Sequence, residues 1–385
     1  GAAGVRAVRA PPPPPIPLQI LETLMDRRDL TEAQTQEAMQ ARKGRRGGGR
    51  RRKARAPPHA SPPSPCQALL AGADPAQIGA FLVLLRAKGE TGAEVAGLAR
   101  AMLASGVRVD AGAGLLDIVG TGGDGIGSVN ISTGATVIAA AAGAKVAKHG
   151  NRSVSSLCGS ADVVEALGVS LELGPAGINA CLRDASIAFM YAPTFHPAMA
   201  AVAPVRRALR VRTAFNLIGP LLNPARAQFA LVGVYSPSIA PLMASALSRL
   251  GVERALVVHS AGMDELTPLA PALVIEAVAG VAGKPYELDP KRLGIPACTV
   301  EDLKGGDAAL NATILRDVFG GARSAVADAL NLNAGVALAA AGLAATPEDG
   351  VALAQETQRA GKAGGVLDAW VQASTAAAAA GAGGA

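Results

Sequence analysis

Apolar positions along the chain follow two patterns that meet near residue 107. Up to that point they recur at helical spacing. Ile20, Leu21, Leu24 and Met25 form one stripe, and Ile78, Phe81, Leu82 and Leu85 form another. Thr31-Glu-Ala-Gln34 and Thr91-Gly-Ala-Glu94 are capping-box patterns, in which a hydroxyl and an acid or amide three residues on satisfy each other's backbone donors. Asp74-Pro75 supplies an N-cap with proline at N1, and Gly89 supplies a stop. Residues 17–106 therefore read as a small all-helical domain. Beyond 107, short apolar runs alternate with helical stretches. Strands are predicted at 115–119, 144–148, 169–173, 187–190, 229–234 and 255–259, with helices between them, helices from 307 to about 375, and a frayed Ala/Gly-rich end. The expected fold class is α/β: the N-terminal helical domain plus a larger domain, 107–385, whose mostly parallel central sheet is covered by helices. Residues 195–212 are expected to pack back on the helical domain.

Two segments interrupt this order. Residues 1–16 are a Gly/Ala/Arg leader ending in Pro11–Pro15, either a linker or the remnant of an organelle-targeting peptide. Residues 41–65 are basic and glycine-rich, then proline-rich, and read as a disordered surface insertion within the helical domain.

The insertion changes the meaning of the charge. The 385 residues carry a formal +6, but 42–55 alone hold nine basic side chains and no acid, so the remainder is net negative. The chain offers no broad basic face for nucleic acid; salt-dependent binding through 42–55 is the alternative. No apolar run reaches the ~18 residues needed to cross a bilayer. Cys66, Cys158, Cys181 and Cys298 are far apart and form no metal or disulfide framework. Cys158 reads as a packing residue.

The candidate chemistry centres on Leu115-Leu-Asp-Ile-Val-Gly-Thr-Gly-Gly-Asp-Gly-Ile-Gly-Ser-Val-Asn-Ile-Ser-Thr133. An apolar strand runs into a loop of five glycines, and a helix follows with Ser132 or Thr133 as N-cap. Glycine lets backbone N–H groups converge on an anion, so the loop is expected to hold phosphate. Gly120, Gly122 and Gly125 satisfy a dinucleotide-type spacing, yet no acid follows Asp124 until Asp162 to take ribose hydroxyls. Asp124 itself sits inside the loop. A carboxylate about 4 Å from a phosphate costs roughly 4 kcal/mol at an effective dielectric near 20, unless a metal ion or ribose hydroxyl intervenes.

Three further constellations belong with it. Lys148-His-Gly-Asn-Arg-Ser-Val-Ser-Ser156 packs cations, an amide and hydroxyls after a buried-looking strand, a density that suits a polyanion. His149 is read there as a neutral hydrogen-bond partner. Arg206 and Arg207 diverge by about 100° on a helix, so one of them can face a cleft and grip a carboxylate. Asp264 and Glu265 stand at the end of the 255–259 strand, where Mg²⁺ commonly takes one or two carboxylates plus substrate phosphates.

Asp117-Ile-Val-Gly-Thr-Gly-Gly-Asp124, Asn130-Ile-Ser-Thr133, Lys148-His-Gly-Asn-Arg152, Gly159-Ser-Ala-Asp162, Phe215-Asn-Leu-Ile-Gly-Pro220 and Met263-Asp-Glu-Leu266 together resemble the anthranilate phosphoribosyltransferase family of tryptophan biosynthesis, in the family's order. The likeness runs from about Pro17 to Ala373, broken by 41–65. It implies transfer of phosphoribose from phosphoribosyl pyrophosphate to the amino group of anthranilate, with Mg²⁺, in a homodimer. It implies that Gly120, Gly123, Asp124, Ser128, Asn130, Ile131, Ser132, Thr133, Lys148, His149, Gly150, Asn151, Arg152, Ser153, Val154, Ser155, Ser156 and Ser160 hold phosphoribosyl pyrophosphate, with Lys148 and Asp124 the catalytic pair. Ser132, Asp264 and Glu265 are implied metal ligands, and Gly120, Asn151 and Arg206 implied anthranilate contacts. Two departures stand out: Ile126-Gly-Ser-Val129, where the family usually has a Thr-Phe pair, and the insertion. Pyrimidine nucleoside phosphorylase shares the architecture but lacks the Thr-Gly-Gly-Asp and Asn-Ile-Ser-Thr pattern. A non-enzymatic nucleic-acid-binding relative rests on 42–55 alone. The leader and insertion point to a plastid stroma, or to the cytoplasm in a bacterium.

Overall fold

The computed structural model describes residues 16–40, 73–153 and 157–382. The leader up to residue 15, the insertion, Cys66, and the site candidates Val154, Ser155 and Ser156 lie outside the described residues.

The N-terminal unit comprises α1 (Leu18–Met25), α2 (Glu32–Gln40), α3 (Pro75–Lys88) and α4 (Gly92–Ser105). Both capping boxes form. Thr31 and Gln34 exchange bonds at 2.9 and 3.1 Å, and Thr91 does the same with Glu94. Glu94 is wholly buried and does more than cap. Its carboxylate accepts from Leu30 N at 2.8 Å and from Lys88 Nζ at 3.0 Å, tying the loop before α2 to α3 and α4. A buried carboxylate is tolerable only with such compensation.

The second unit contains β1 (Leu115–Gly120), α5 (Ile131–Ala141), β2 (Lys145–Gly150), α6 (Ser160–Ala166), α7 (Pro175–Ala185), β3 (Ile187–Tyr191), α8 (Ala192–Phe195), α9 (Met199–Leu209), β4 (Phe229–Gly233), α10 (Ala240–Leu250) and β5 (Arg254–His259). Then come β6 (Ala272–Val278), β7 (Val281–Ala282), β8 (Tyr286–Leu288), and α11 (Ala308–Phe319), α12 (Ala325–Ala340), α13 (Pro347–Arg359) and α14 (Lys362–Ala382). The sheet order is β3-β2-β1-β4-β5-β6-β7, with β8 also on β6. The first five strands of that order are parallel, and β6 turns antiparallel to β5. Apolar side chains on one sheet face pack against α5, α7 and α12, and α14 lies on α5 and α7. Those on the other pack against α10, α4 and the helical unit, so the second core is shared between the two units. Val205 and Leu209 of α9 close on Gly79 of α3.

Three expectations are corrected. Residues 169–173 form no strand: Val169, Leu171 and Leu173 are buried in alternation, but against helices, and Ser170 N donates to Ser374 Oγ of α14 at 3.1 Å. A helix wall satisfies a period-two pattern as well as a neighbouring strand does. The stretch 272–288, where no strand was expected, is the antiparallel β6–β8 edge. The Ala-rich end is not frayed within the described residues: α14 runs to Ala382, with Ala377 and Ala378 against the core, as alanine's high helix propensity favours.

Candidate active site at the sheet switch point

The chain runs outward from β1 to β2 and β3, then returns to β4 on β1's other side. This leaves a switch point beyond the C-terminal ends of β1 and β4, where parallel sheets bind ligands. The strand ends there are glycines in register, Gly120 opposite Gly233. The residue that needs their smallness is Asp264. A Cβ on Gly120 would fall 2.2 Å from Asp264 Oδ2, and one on Gly233 would fall 1.6 Å from the Asp264 carbonyl oxygen. The loop after β5 thus lies across both strand ends, and Gly122 N donates to Asp264 Oδ2 at 2.6 Å. That bond fixes the acid against the start of the glycine loop.

The loop itself carries Gly122, Gly123, Gly125 and Gly127 at φ between +69° and +83°, a region glycine enters without strain. Asp124 Oδ1 accepts from Ile126 N at 3.2 Å. A segment far along the chain supports the loop from outside: Val129 N donates to Leu303 O at 2.9 Å, and Gly305 N to Gly127 O at 3.0 Å. The N-cap of α5 is Asn130, not Ser132 or Thr133, which fall in its first turn. The Asn130 amide makes no cap bond. It donates to Cys158 O at 3.2 Å and accepts from Asn311 Nδ2 at 3.0 Å, joining three elements behind the loop. Ser132 N, in the first turn of the helix, donates to Glu265 Oε1 at 3.3 Å.

Lys148 is buried at the end of β2. Its ammonium donates to Ile118 O at 2.6 Å and lies 3.5 Å from Ser132 Oγ. Burial pushes its pKa down, against the upward pull of Asp117, Glu265 and Asp264. Burial pushes the acids the other way. Asp264 rises further beside Asp124, and Glu265 rises beside Asp264, while Asp117 is pushed up to about 6. Asp117, Asp264 and Glu265 around one lysine are short of positive charge, an imbalance that a divalent cation would relieve. Among the described residues no cluster of three or more His, Cys, Asp and Glu side chains is arranged as a complete metal cage. Two adjacent carboxylates and a nearby hydroxyl fit instead an ion whose remaining ligands come from substrate and water.

His149 is buried beside Lys148 and neutral, held at about 3 by burial and by the neighbouring His196. The two rings meet edge to face at 5.2 Å. His196 Nε2 donates to Leu222 O at 2.6 Å, while His149 Nε2 is buried without a partner.

The switch point brings together Gly120, Asp124, Ser132, Lys148, Asp264 and Glu265, with Gly123 in the loop above. Ser128 pairs with Lys304 in an isolated bridge, and Ile131 and Thr133 are buried in the first turn of α5. Gly150 ends β2, and a Cβ there would meet Ser160 Oγ at 2.3 Å. Ser160 Oγ donates to the Asn151 carbonyl, and Ser153 N to Asp162. Arg152 is committed to acids, with Asp162 at 2.9 Å and Glu165 at 2.8 Å. Arg206 is partly buried over the Phe215 ring at 5.7 Å, whereas Arg207 is exposed. The sequence reading missed several neighbours of the site: Asp117 and Asn223, bonded at 2.7 Å beside Lys148, and also Gly233, His196 and Arg212. Asp117 left a signal, a lone charge inside an otherwise apolar strand.

A helical bundle beside a parallel sheet with an anion loop at its switch point defines a class of sugar-transferring enzymes. Residues 112–364 match the glycosyl transferase family a/b domain, and residues 67–106 its helical bundle domain. Within that class, similarity to curated relatives is extensive. The chain is 50% identical to the anthranilate phosphoribosyltransferase of Roseiflexus sp. (strain RS-1) over 293 residues, 76% of this chain and 86% of that one. It is 44% identical to that of Chlamydia felis (strain Fe/C-56) over 304 residues, 79% and 88% of the two chains. The crystal structure of anthranilate phosphoribosyltransferase from Thermus thermophilus superposes with a TM-score of 0.81 at 40% identity, covering 92% of this chain and 99% of that one. The chain belongs to the anthranilate phosphoribosyltransferase family.

Proposed function

We propose that the chain transfers the 5-phosphoribosyl group of phosphoribosyl pyrophosphate to the amino group of anthranilate, releasing pyrophosphate. The observation that carries this reading is the lock on Asp264 between Gly120, Gly233 and Gly122 N, which sets an acid pair directly beside an anion-binding loop. Paired carboxylates next to a phosphate cradle make chemical sense with a divalent cation between them.

In this reading Ser132, Asp264 and Glu265 would hold Mg²⁺, which would supply charge neutralisation for the leaving pyrophosphate. Gly120, Gly123, Asp124, Ser128, the 130–133 turn, the 148–156 segment and Ser160 hold phosphoribosyl pyrophosphate. Lys148 would place its buried ammonium at the leaving group, and Asp124 would stand beside the diphosphate where the cation offsets its charge. Gly120, Asn151 and Arg206 hold anthranilate, with the guanidinium on its carboxylate. The bond from the anomeric carbon to the pyrophosphate oxygen breaks, the amine nitrogen bonds to that carbon, and its proton leaves to water. Positioning and electrostatics supply the rate, without an indispensable general base. His149 is neutral and acts as a hydrogen-bond partner.

The helical part is taken as 17–106, extended by 195–212, which the contact of α9 on α3 supports. A homodimer is proposed on the family likeness, and a plastid location on the leader and insertion. Among the described residues no helix is long and apolar enough to cross a membrane.

The test is the loss of anthranilate fluorescence on adding the purified chain with phosphoribosyl pyrophosphate and Mg²⁺, each also withheld in turn. Loss only when both are present supports the assignment; no loss from a folded chain refutes it.

A further inference from the structure

Arg212 is exposed and carries no role in the assignment above. It lies in a short connection held rigid at both ends. On one side Arg210 ends α9 in the left-handed region at φ +53°. On the other, Thr213 opens a turn closed by a bond from Thr213 N to Asn216 Oδ1 at 3.0 Å. From this connection the guanidinium reaches across to the glycine loop, where Nη2 donates to Gly123 O at 2.6 Å. Its Cζ sits over the Tyr235 ring, 4.1 Å from the centroid. Tyr235 is tied to the same loop, since its N–H donates to Thr121 Oγ1 at 3.1 Å. The pair therefore holds the loop at two points, 121 and 123. Among the described residues no carboxylate lies within ion-pairing distance of Arg212, in contrast to Arg152 with its two acids.

A trans peptide is planar, with C=O and N–H pointing to opposite sides. Fixing the Gly123 carbonyl towards Arg212 therefore fixes the N–H of Asp124 away from it. Gly123, at φ +83°, leaves that peptide little intrinsic preference of its own. Its orientation must come from outside the loop.

We propose that Arg212, seated on Tyr235, is a positioning residue for the diphosphate of phosphoribosyl pyrophosphate: it sets the Gly123–Asp124 peptide so that the Asp124 N–H faces the anion. The inference rests on the proposed function. It acts through the loop backbone, so it concerns affinity for phosphoribosyl pyrophosphate and not the handling of anthranilate.

The experiment measures equilibrium binding of phosphoribosyl pyrophosphate with Mg²⁺, both KM values and Tm for wild type, Arg212→Gln, Tyr235→Leu and Tyr235→Phe. Arg212→Gln is expected to weaken phosphoribosyl pyrophosphate binding about tenfold, as for loss of a charge-assisted bond, with anthranilate KM and Tm held. Tyr235→Leu should reproduce part of that loss, and Tyr235→Phe, which keeps the ring, should restore it. Binding by Arg212→Gln within twofold of wild type overturns the inference. So does a fall in Tm with both KM values raised alike, which marks a merely structural role. Absence of binding by the folded wild type overturns the functional reading itself, and is thereby distinguished from failure of the Arg212 assignment alone.

Discussion

Gly233→Ala is the sharpest probe of how the site is built. The added methyl would lie 1.6 Å from the Asp264 carbonyl oxygen, 2.3 Å from its carbon and 3.2 Å from its Cα, all backbone atoms. Real contacts of this kind begin near 3.0 Å, so the whole 263–265 backbone must retreat by well over an ångström. A misplacement of about 1 Å costs on the order of a hundredfold in rate when it displaces groups that position the reacting atoms. That corresponds to about 2.7 kcal/mol of transition-state stabilisation. Stability should fall by only about 1–3 kcal/mol, as for an overpacked site, and leave the chain folded at room temperature. Gly120→Ala makes a graded comparison. Its methyl meets mainly the Asp264 carboxylate at 2.2 Å, an atom that can swing, though it then loses Gly122 N. The assay is kcat/KM from anthranilate fluorescence at saturating Mg²⁺, repeated across a Mg²⁺ titration. Gly233→Ala should lose about a hundredfold and need more Mg²⁺, with Gly120→Ala falling between it and wild type. Wild-type kcat/KM and an unshifted titration in Gly233→Ala would refute the claim that Asp264 is locked by the strand ends.

Arg206→Ala should weaken anthranilate binding by about 2–5 kcal/mol, because the guanidinium is already desolvated over Phe215 and its partner would be left unpaired; an unchanged anthranilate KM sinks the assignment. Asp264→Asn combined with Glu265→Gln should raise the Mg²⁺ needed for half-maximal turnover at least about tenfold, and an unaltered midpoint argues against them as ligands. His149→Ala should keep turnover within about two orders of magnitude, the low end of what a general base contributes; a loss of many orders with normal substrate binding would restore a base to the mechanism. The same residue predicts acid sensitivity. Burial, with His196 beside it, holds the folded pKa at about 3, against about 6.5 in the unfolded chain, so its contribution is complete above about 6.5 and is lost as pH falls towards 3. Near pH 4.5 the loss amounts to about 2–3 kcal/mol, and urea midpoints of His149→Asn should show a correspondingly flatter acid limb than wild type.

The difference between what was legible in the sequence and what was not follows the range of the interactions. Capping boxes at Thr31 and Thr91, the proline start of α3 and the strand entering the glycine loop depend on neighbours within four residues, and each forms as read. The strand at 169–173 failed because alternation records burial of every second residue without saying whether a strand or a helix buries them. The β6–β8 edge was missed because Ala272-Leu-Val-Ile-Glu-Ala-Val278, with Glu276 its one polar residue, shows no clean alternation, and its partners on β5 and β8 lie across turns that periodicity does not mark. The C-terminal alanines were judged by their low complexity, when their packing against the core decides their state.

The candidate site divides along the same line. Gly120 and the Asp264–Glu265 pair were visible as separate local signals, one a glycine and one a vicinal acid pair, far apart in the chain. Neither signal contains the reason for the other. Gly120 ends its strand as glycine because Asp264 passes over it, and Gly233, opposite in register, is glycine for the same cause. The acids are tolerable where they are because Lys148, the α5 N-terminus at Ser132 and the Gly122 N–H all face them. These three compensations arrive from β2, α5 and the β1 loop, and only the parallel order β2-β1-β4-β5 brings them to one place. Arg212 and Asn311 belong to the same logic one step further out. Each holds the glycine loop through a single backbone carbonyl or side-chain amide, a role that needs a position in space but leaves no recognisable spacing in the chain.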